Sequence, residues 1–329
     1  MSSRLYPWFD LIVWLLLWAS SPAWAQNRAT LDYQLSARAL APGVYVVQGA
    51  NADFSPANGC NIINTGFIET DAGVLVINTG PSRLYGEQLR ALIGRTTARP
   101  VVQVLNLNLH PDYFLGNQAF ADVPRRATAL TQAGIAREGK SYENNLYRLC
   151  GDWMKGTETL APDTPQGPGR WTLGQRHLEL RTYQGHTDSD LVLVDLSSGV
   201  AFVGGLAFAE RIPTTPHAQL ANWLSSLAQL DADLQTLLPA PHLPTLVPSH
   251  GPVSADTRAL QQTRDYLRWL DHTFERSAQA GLDMVEVLHT PMPAPFKQWA
   301  AVASEFARNV VHLYPQYEAR SLHATHPLK

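Results

Sequence analysis

The segment Val101-Val102-Gln103-Val104-Leu105 runs directly into Asn106-Leu107-Asn108-Leu109-His110-Pro111-Asp112-Tyr113. Its first five residues read as a buried strand, because the run is short, apolar and β-branched. The polar cluster Asn108/His110/Asp112 therefore falls at a strand end. Upstream, the spacing of Leu84, Leu89, Leu92 and Ile93 predicts a surface helix over 82–95, with Ser82 as N-cap and Arg90 and Arg95 toward its C-terminal end. Before it, residues 43–49, 61–68 and 73–77 are strand candidates separated by turn residues. Downstream, a Pro/Gly-rich loop over 161–169 opens a second round, with strands at 178–182, 191–195 and 200–203 and a helix over 218–230. A strand at 245–247 then ends in Pro248-Ser249-His250-Gly251-Pro252. Strand-rich halves that each close with a helix imply an α/β fold, two packed sheets with helices outside, a four-layer sandwich in one domain. Beyond Asp256 the pattern turns helical, with Leu260, Leu267, Leu270 and Phe274 on one stripe and a further helix over 299–313. This tail reads as a helical appendage covering the domain, with residues 323–329 loose.

The composition is that of a globular protein. Of 329 residues, 45% are apolar and 16% charged, which supports a sizeable core and excludes disordered and collagenous classes. A net charge of −3 lacks the polyanion steering of a basic chain, so nucleic acid is not an expected partner. Residues 1–25 carry Arg4, an uncharged apolar run over 11–19, then Ser20-Ser21-Pro22 and Ala23-Trp24-Ala25. That is the layout of a secretory signal peptide cleaved before Gln26. The run falls well short of the roughly 20 residues that span a bilayer, and no later stretch is long and apolar enough. The expectation is a periplasmic or secreted protein with no membrane span after cleavage, organised as signal peptide 1–25, main domain 26–255 and helical extension 256–329. An oxidising compartment permits Cys60 and Cys150 to form a disulfide. Two buried small thiols are equally compatible with the sequence, which supplies no distance between them.

Three polar clusters follow apolar strands in order along the chain: Asn108/His110/Asp112, Gly185-His186-Thr187-Asp188 and Ser249-His250-Gly251. With 11 His in the chain, a single one says little; the ordered set points to one cleft at the strand ends. This order resembles the metallo-β-lactamase superfamily, whose signature is a strand ending in H-x-H-x-D-H, then G-H-T, then a late G-H-G. The resemblance extends toward the quinoprotein relay system zinc metallohydrolase type 1 family. It is carried by Leu40-Ala41-Pro42-Gly43-Val44-Tyr45-Val46, Val76-Ile77-Asn78-Thr79-Gly80-Pro81-Ser82, Gly116-Asn117-Gln118-Ala119-Phe120, Gly151-Asp152-Trp153-Met154, Arg211-Ile212-Pro213-Thr214 and Tyr266-Leu267-Arg268-Trp269-Leu270. It implies the αβ/βα metallo-β-lactamase sandwich, a zinc centre, and a periplasmic quinoprotein dehydrogenase as partner.

The metal ligands depart from that pattern. The resemblance assigns the first metal to positions 108, 110 and 186, here Asn108, His110 and His186. It assigns the second to 112, 113 and 250, here Asp112, Tyr113 and His250, with a bridging Asp position that is Gly205. His110, Asp112, His186 and His250 remain as metal ligands. The Asp that usually orients a ligand His is Asn78, and losing such support costs roughly 10–100-fold in metal affinity or activity. Two divalent ions about 3.7 Å apart repel by about 18 kcal/mol at an effective dielectric of 20, so a pair depends on bridging anions. Without a carboxylate at 205 the expectation is at most one zinc ion, for which three protein ligands and a water suffice. Asn108 with His110 and Asp112 is also similar to the N-x-H-x-D of mono-zinc metallo-β-lactamases, whose Cys ligand position is again Gly205; a Cys60 thiolate reaching the metal is a third use for that residue. Tyr113, with a phenol pKa near ~10, is a poor ligand.

Two functions follow. With one ion, metal-activated water attacks an ester, thioester or amide-type bond, Asp112 holding the water or acting as general base and Asn108 holding substrate or water by its amide. Without one, the chain is a non-catalytic binding or accessory protein of the quinoprotein system. No G-x-S-x-G elbow or phosphate-binding glycine loop offers another chemistry.

Overall fold

A computed structural model describes residues 31–238 and 244–325; the signal-peptide expectation lies outside the described residues. The first sheet runs β1 (Arg38–Ala41), β2 (Val44–Val47), β3 (Thr65–Thr70), β4 (Gly73–Ile77), β5 (Val101–Leu105), β6 (Arg125–Ala127) and β7 (Thr164–Pro165) in spatial order. The second comprises β8 (Gly169–Leu173), β9 (Arg176–Tyr183), β10 (Asp190–Asp195), β11 (Val200–Phe208) and β12 (Thr245–His250), in the order β12-β11-β10-β9-β8. The helices are α1 (Arg83–Thr96), α2 (Pro111–Phe114), α3 (Ala129–Cys150), α4 (Leu220–Leu237), α5 (Arg258–Gln279), α6 (Met284–Val287), α7 (Ala294–Lys297) and α8 (Val302–Thr325).

Alternation along the strands builds the layers. In β4, Leu75 and Ile77 face the second sheet, where they meet Leu178, Leu180, Leu193 and Phe202. Val74 and Val76 face the other way, onto Leu89 and Ile93 of α1. Ser82 caps α1 by accepting from the Tyr85 N–H. On the outer side of the second sheet, Val203 and Phe208 of β11 share one core with Trp223 and Leu227 of α4, Leu267 and Phe274 of α5, and Val310 and Tyr314 of α8. The expected four-layer α/β sandwich with a C-terminal helical region is therefore what forms.

The differences are local. The sequence pattern predicts strand over 61–64, where the chain instead forms a loop; Asn64 donates from its amide to the carbonyls of Pro248 and Gly251, fastening the end of β12. Helix α8 continues through residues 323–325, which the sequence suggested were loose. Helix α3 was not foreseen. Its buried stripe is Thr131, Gly134, Ile135, Gly139, Glu143, Leu146 and Cys150, too polar and glycine-rich to register as an apolar period. Gly134 is there because a Cβ would sit 3.0 Å from Leu109 Cδ2. Among the described residues no helix is long and apolar enough to cross a membrane.

Cys60 and Cys150 form a disulfide across a sequence separation of 90, with Cα atoms 6.0 Å apart. It ties the last residue of α3 to the loop ahead of β3, and Cys60 is not available as a metal thiolate. Cys150→Ala is expected to cost about 2–5 kcal/mol of unfolding free energy, through the long loop it releases, measured by denaturant titration against the oxidised native chain.

Candidate active site at the strand ends

The loop after β5 is shaped by side-chain amides. Asn78, at φ 57°, accepts from the Leu107 N–H at 3.0 Å, and Asn106 donates to the Tyr113 carbonyl at 2.9 Å. His110 then stands at the N-cap position of the single turn of α2, with no side-chain capping bond, and the first residue of that turn is Pro111, pre-set for the position. The turn carries Asp112 inward. On the second sheet, Gly185-His186-Thr187 follows β9, and Asp190 at the start of β10 accepts from the Thr187 N–H at 2.8 Å. His250 ends β12 and donates from Nδ1 to the Ile62 carbonyl at 2.9 Å.

These turns bring His110, Asp112, His186 and His250 into one neighbourhood. Asn108 lies behind it. Its amide nitrogen bonds to Asp190 Oδ1 at 2.5 Å and His186 Nδ1 at 3.2 Å, and its oxygen accepts from the His110 N–H at 2.9 Å. Fully buried and absent from the cavity lining, this amide is spent within the protein instead of on substrate or water. Gly205 shows why no carboxylate stands at its position. A Cβ there would meet His186 Nδ1 at 2.0 Å, so the imidazole itself fills the slot. The preceding Gly204, at φ 54°, lies where the β11–β12 register shifts. His186 is held in the slot with ring centroids 5.0 Å from Trp223 and 5.4 Å from Phe208. The Tyr113 hydroxyl is buried, without a hydrogen bond among the described residues; burial, then the charge of Asp112, keeps it protonated.

A cavity of about 390 Å³ opens over His110, Asp112 and His250. Its walls include Tyr142 and Leu149 of α3, Arg211 and Thr214, and Glu305, Arg308 and His312 of α8. Asp112 Oδ2 has no hydrogen bond among the described residues and stands 3.6 Å from His250 Nε2. Burial pushes the Asp112 carboxyl up to about 7, partly offset by its own backbone N–H and by Arg211. Burial likewise holds His110 and His250 well below the usual imidazole range, helped by neighbouring imidazoles for His110 and by Arg211 for His250. Glu305, raised by burial, shares one oxygen between Arg211 (3.3 Å) and Arg308 (3.0 Å).

Several of these residues were not singled out from the sequence. His217 Nδ1 meets His110 Nε2 at 3.0 Å, and its Nε2 meets Glu138 Oε2 at 2.9 Å. Glu138 sits on the helix that the sequence hid; Arg211 lay in a quoted stretch without a role; Glu305 and His312 come from the appendage. The one available signal was Pro213 to His217, where a His follows soon after that stretch.

Each site histidine is engaged by one ring nitrogen: His110 Nε2 by His217, His186 Nδ1 by the Asn108 amide nitrogen and, at 3.3 Å, by Asp190, His250 Nδ1 by the Ile62 carbonyl. Donation from Nδ1 to an acceptor, as His250 makes to Ile62 and His186 can make only to Asp190, is how metal-binding imidazoles are held; a bond accepted from Asn108 instead leaves the His186 hydrogen on Nε2. The other nitrogens, His110 Nδ1, His186 Nε2 and His250 Nε2, are left without a hydrogen bond among the described residues. The 3.6 Å between His250 Nε2 and Asp112 Oδ2 is close to the ~3.4 Å edge of a tetrahedron with zinc bonds of about 2.1 Å. Among the described residues no three His, Cys, Asp or Glu side chains are gathered into a metal-holding group. The donors match zinc in kind, and one pair, His250 and Asp112, stands at ligand spacing.

Two outcomes are expected. Gly205→Ala puts a methyl against His186 and should destabilise by about 1–3 kcal/mol in urea unfolding. In metal-free protein, Asp112 binds a proton more tightly folded than unfolded, so its contribution to stability is present below about pH 4 and lost as pH rises to about 7. The histidines held neutral act oppositely, losing stability as pH falls below about 6.5. The difference between native protein and Asp112→Asn across that range therefore isolates the carboxyl.

The profile of the Metallo-beta-lactamase superfamily matches residues 58–250. Among solved structures, the chain is similar to the metallo-beta-lactamase from Pontibacter korlensis, with TM-score 0.57 and 22% identity over 71% of this chain and 99% of that one. It is also similar to metallo-beta-lactamase IND-7, with TM-score 0.57 and 14% identity over 72% of this chain and 100% of that one. No curated protein matches. With the matched segment running from before β3 through His250 and taking in the histidines of all three polar clusters, the chain belongs to the metallo-beta-lactamase superfamily.

Proposed function

We propose that this protein is a hydrolase of its superfamily that works with a single divalent ion, zinc by donor type, and opens an ester, thioester or amide-type bond of a small molecule. The observation that carries this reading is the Asp112–His250 pair, 3.6 Å apart on the cavity floor with Asp112 Oδ2 unpartnered among the described residues. Asp112, His250 and either His110 or His186 would hold the ion, which would supply Lewis-acid activation of water and of a carbonyl. Where three histidines hold the ion and leave Asp112 free of it, the Asp112 carboxylate would hold the attacking water or act as its general base. The cavity volume suits a small ligand. Location and partner belong to the same proposal: the periplasm, beside a quinoprotein dehydrogenase. The Cys60–Cys150 bridge supports an oxidising compartment, and the family-like stretches support the partner.

A second reading rests on His186 filling the slot at Gly205 and on the lack of a gathered three-donor group among the described residues. In it the chain is a metal-free binding or accessory protein of the same system. Elemental analysis of protein purified without chelator and re-supplied with zinc separates the two. The hydrolase reading expects about one ion per chain, lost in Asp112→Ala and in His250→Ala; a native chain that retains none overturns it in favour of the accessory reading.

A further inference from the structure

A carboxylate–imidazole–imidazole line runs from α3 into the site. Glu138 Oε2 bonds to His217 Nε2 at 2.9 Å, and His217 Nδ1 bonds to His110 Nε2 at 3.0 Å. Glu138 is itself fastened: Tyr142 donates to Oε2 at 2.8 Å and Arg137 to Oε1 at 2.5 Å. Burial opposes its charge, but these two hydrogen bonds together with the neighbouring His217 and Arg137 charges outweigh it, so the carboxyl lies below its ordinary value and accepts only.

We infer that His217 and Glu138 are positioning residues that set the tautomer of His110, holding its proton on Nε2 and leaving the Nδ1 electron pair to the site. The logic is a chain of donors and acceptors. An ionised Glu138 obliges His217 Nε2 to carry hydrogen. With a single ring hydrogen, held on Nε2 by Glu138, His217 presents a lone pair at Nδ1, which obliges His110 Nε2 to donate. His110 Nδ1, with no hydrogen bond among the described residues, is left as a base or ligand atom, and the His186 ring lies edge-on to His110 with centroids 4.6 Å apart. The role of that atom rests on the hydrolase reading above; the tautomer does not.

The test therefore uses metal-free, full-chain protein with 15N-labelled histidine, reading the ring-nitrogen shifts of His110 at pH 7.5. The native protein is expected to show one tautomer, with hydrogen on Nε2. His217→Phe keeps a ring in place but removes the acceptor, and both tautomers should appear. Glu138→Gln should go further. Arg137 holds the amide oxygen at the Oε1 side, so the amide nitrogen donates to His217 Nε2. His217 Nδ1 then carries hydrogen, and His110 shifts toward the Nδ1–H form. Hydrogen on Nδ1 in the native protein, or the native pattern persisting in a folded variant, overturns the inference; if one variant fails to fold, the other decides. A merely structural role would change unfolding midpoints and leave the tautomer alone. Zinc affinity, read separately, should fall roughly 10–100-fold in either variant, and a native chain that binds no zinc would remove the hydrolase reading without touching the tautomer result.

Discussion

The amide of Asn108 holds the two sheets together where the site is built. From the loop after β5 it bonds to Asp190 and His186 of the second sheet, and its oxygen steadies the His110 backbone. The adjacent Leu191 N–H to Leu107 carbonyl bond, 3.0 Å, runs between the same two segments. A buried amide with every bond made is strongly orienting, because loosening it leaves donors and acceptors unpaired in a medium that cannot solvate them. This places His186 in the space beside Gly205, and the site inherits its form from that placement.

Position 108 thus exchanges a metal donor for an internal tie, and position 205 gives up a carboxylate for the space an imidazole occupies. The two are coupled sterically: a carboxylate at 205 and the His186 ring cannot share the volume. What survives is an Asp112–His250 pair on a cavity floor, flanked by histidines whose outer nitrogens are already engaged. The cavity is deep because later parts of the chain close over it. Helix α8 supplies Glu305, Arg308 and His312, and α3, pinned by the Cys60–Cys150 bridge, supplies Tyr142 and the Glu138 that reaches His110 through His217.

Much of this was legible beforehand for physical reasons. β4 announces itself because a strand buried on both faces must be apolar throughout, β5 because its run is short and β-branched although only Val104 and Leu105 are fully buried, and α1 and α5 because one face must be apolar at helical spacing. His110, Asp112, His186 and His250 were legible because each follows a strand at its end. Helix α3 was not legible, since a helix that packs through glycines against Leu109 and Thr159 buries backbone and carries few large apolar side chains. Asn64 was read into a strand because its amide bonds, to residues more than 180 positions away, leave no local trace.

The sequence by itself determined the sandwich and the order of its polar strand ends, because these follow from periodicity and residue type, while the loss of carboxylate and imidazole at 205 and 108 is what the resemblance to the superfamily pattern implies. Only the tertiary structure decided what occupies the vacated positions, which nitrogen of each histidine is free, and that α3 and α8 wall the cavity. Those outcomes depend on contacts between residues distant in the chain, where direction and steric exclusion count and composition carries no information.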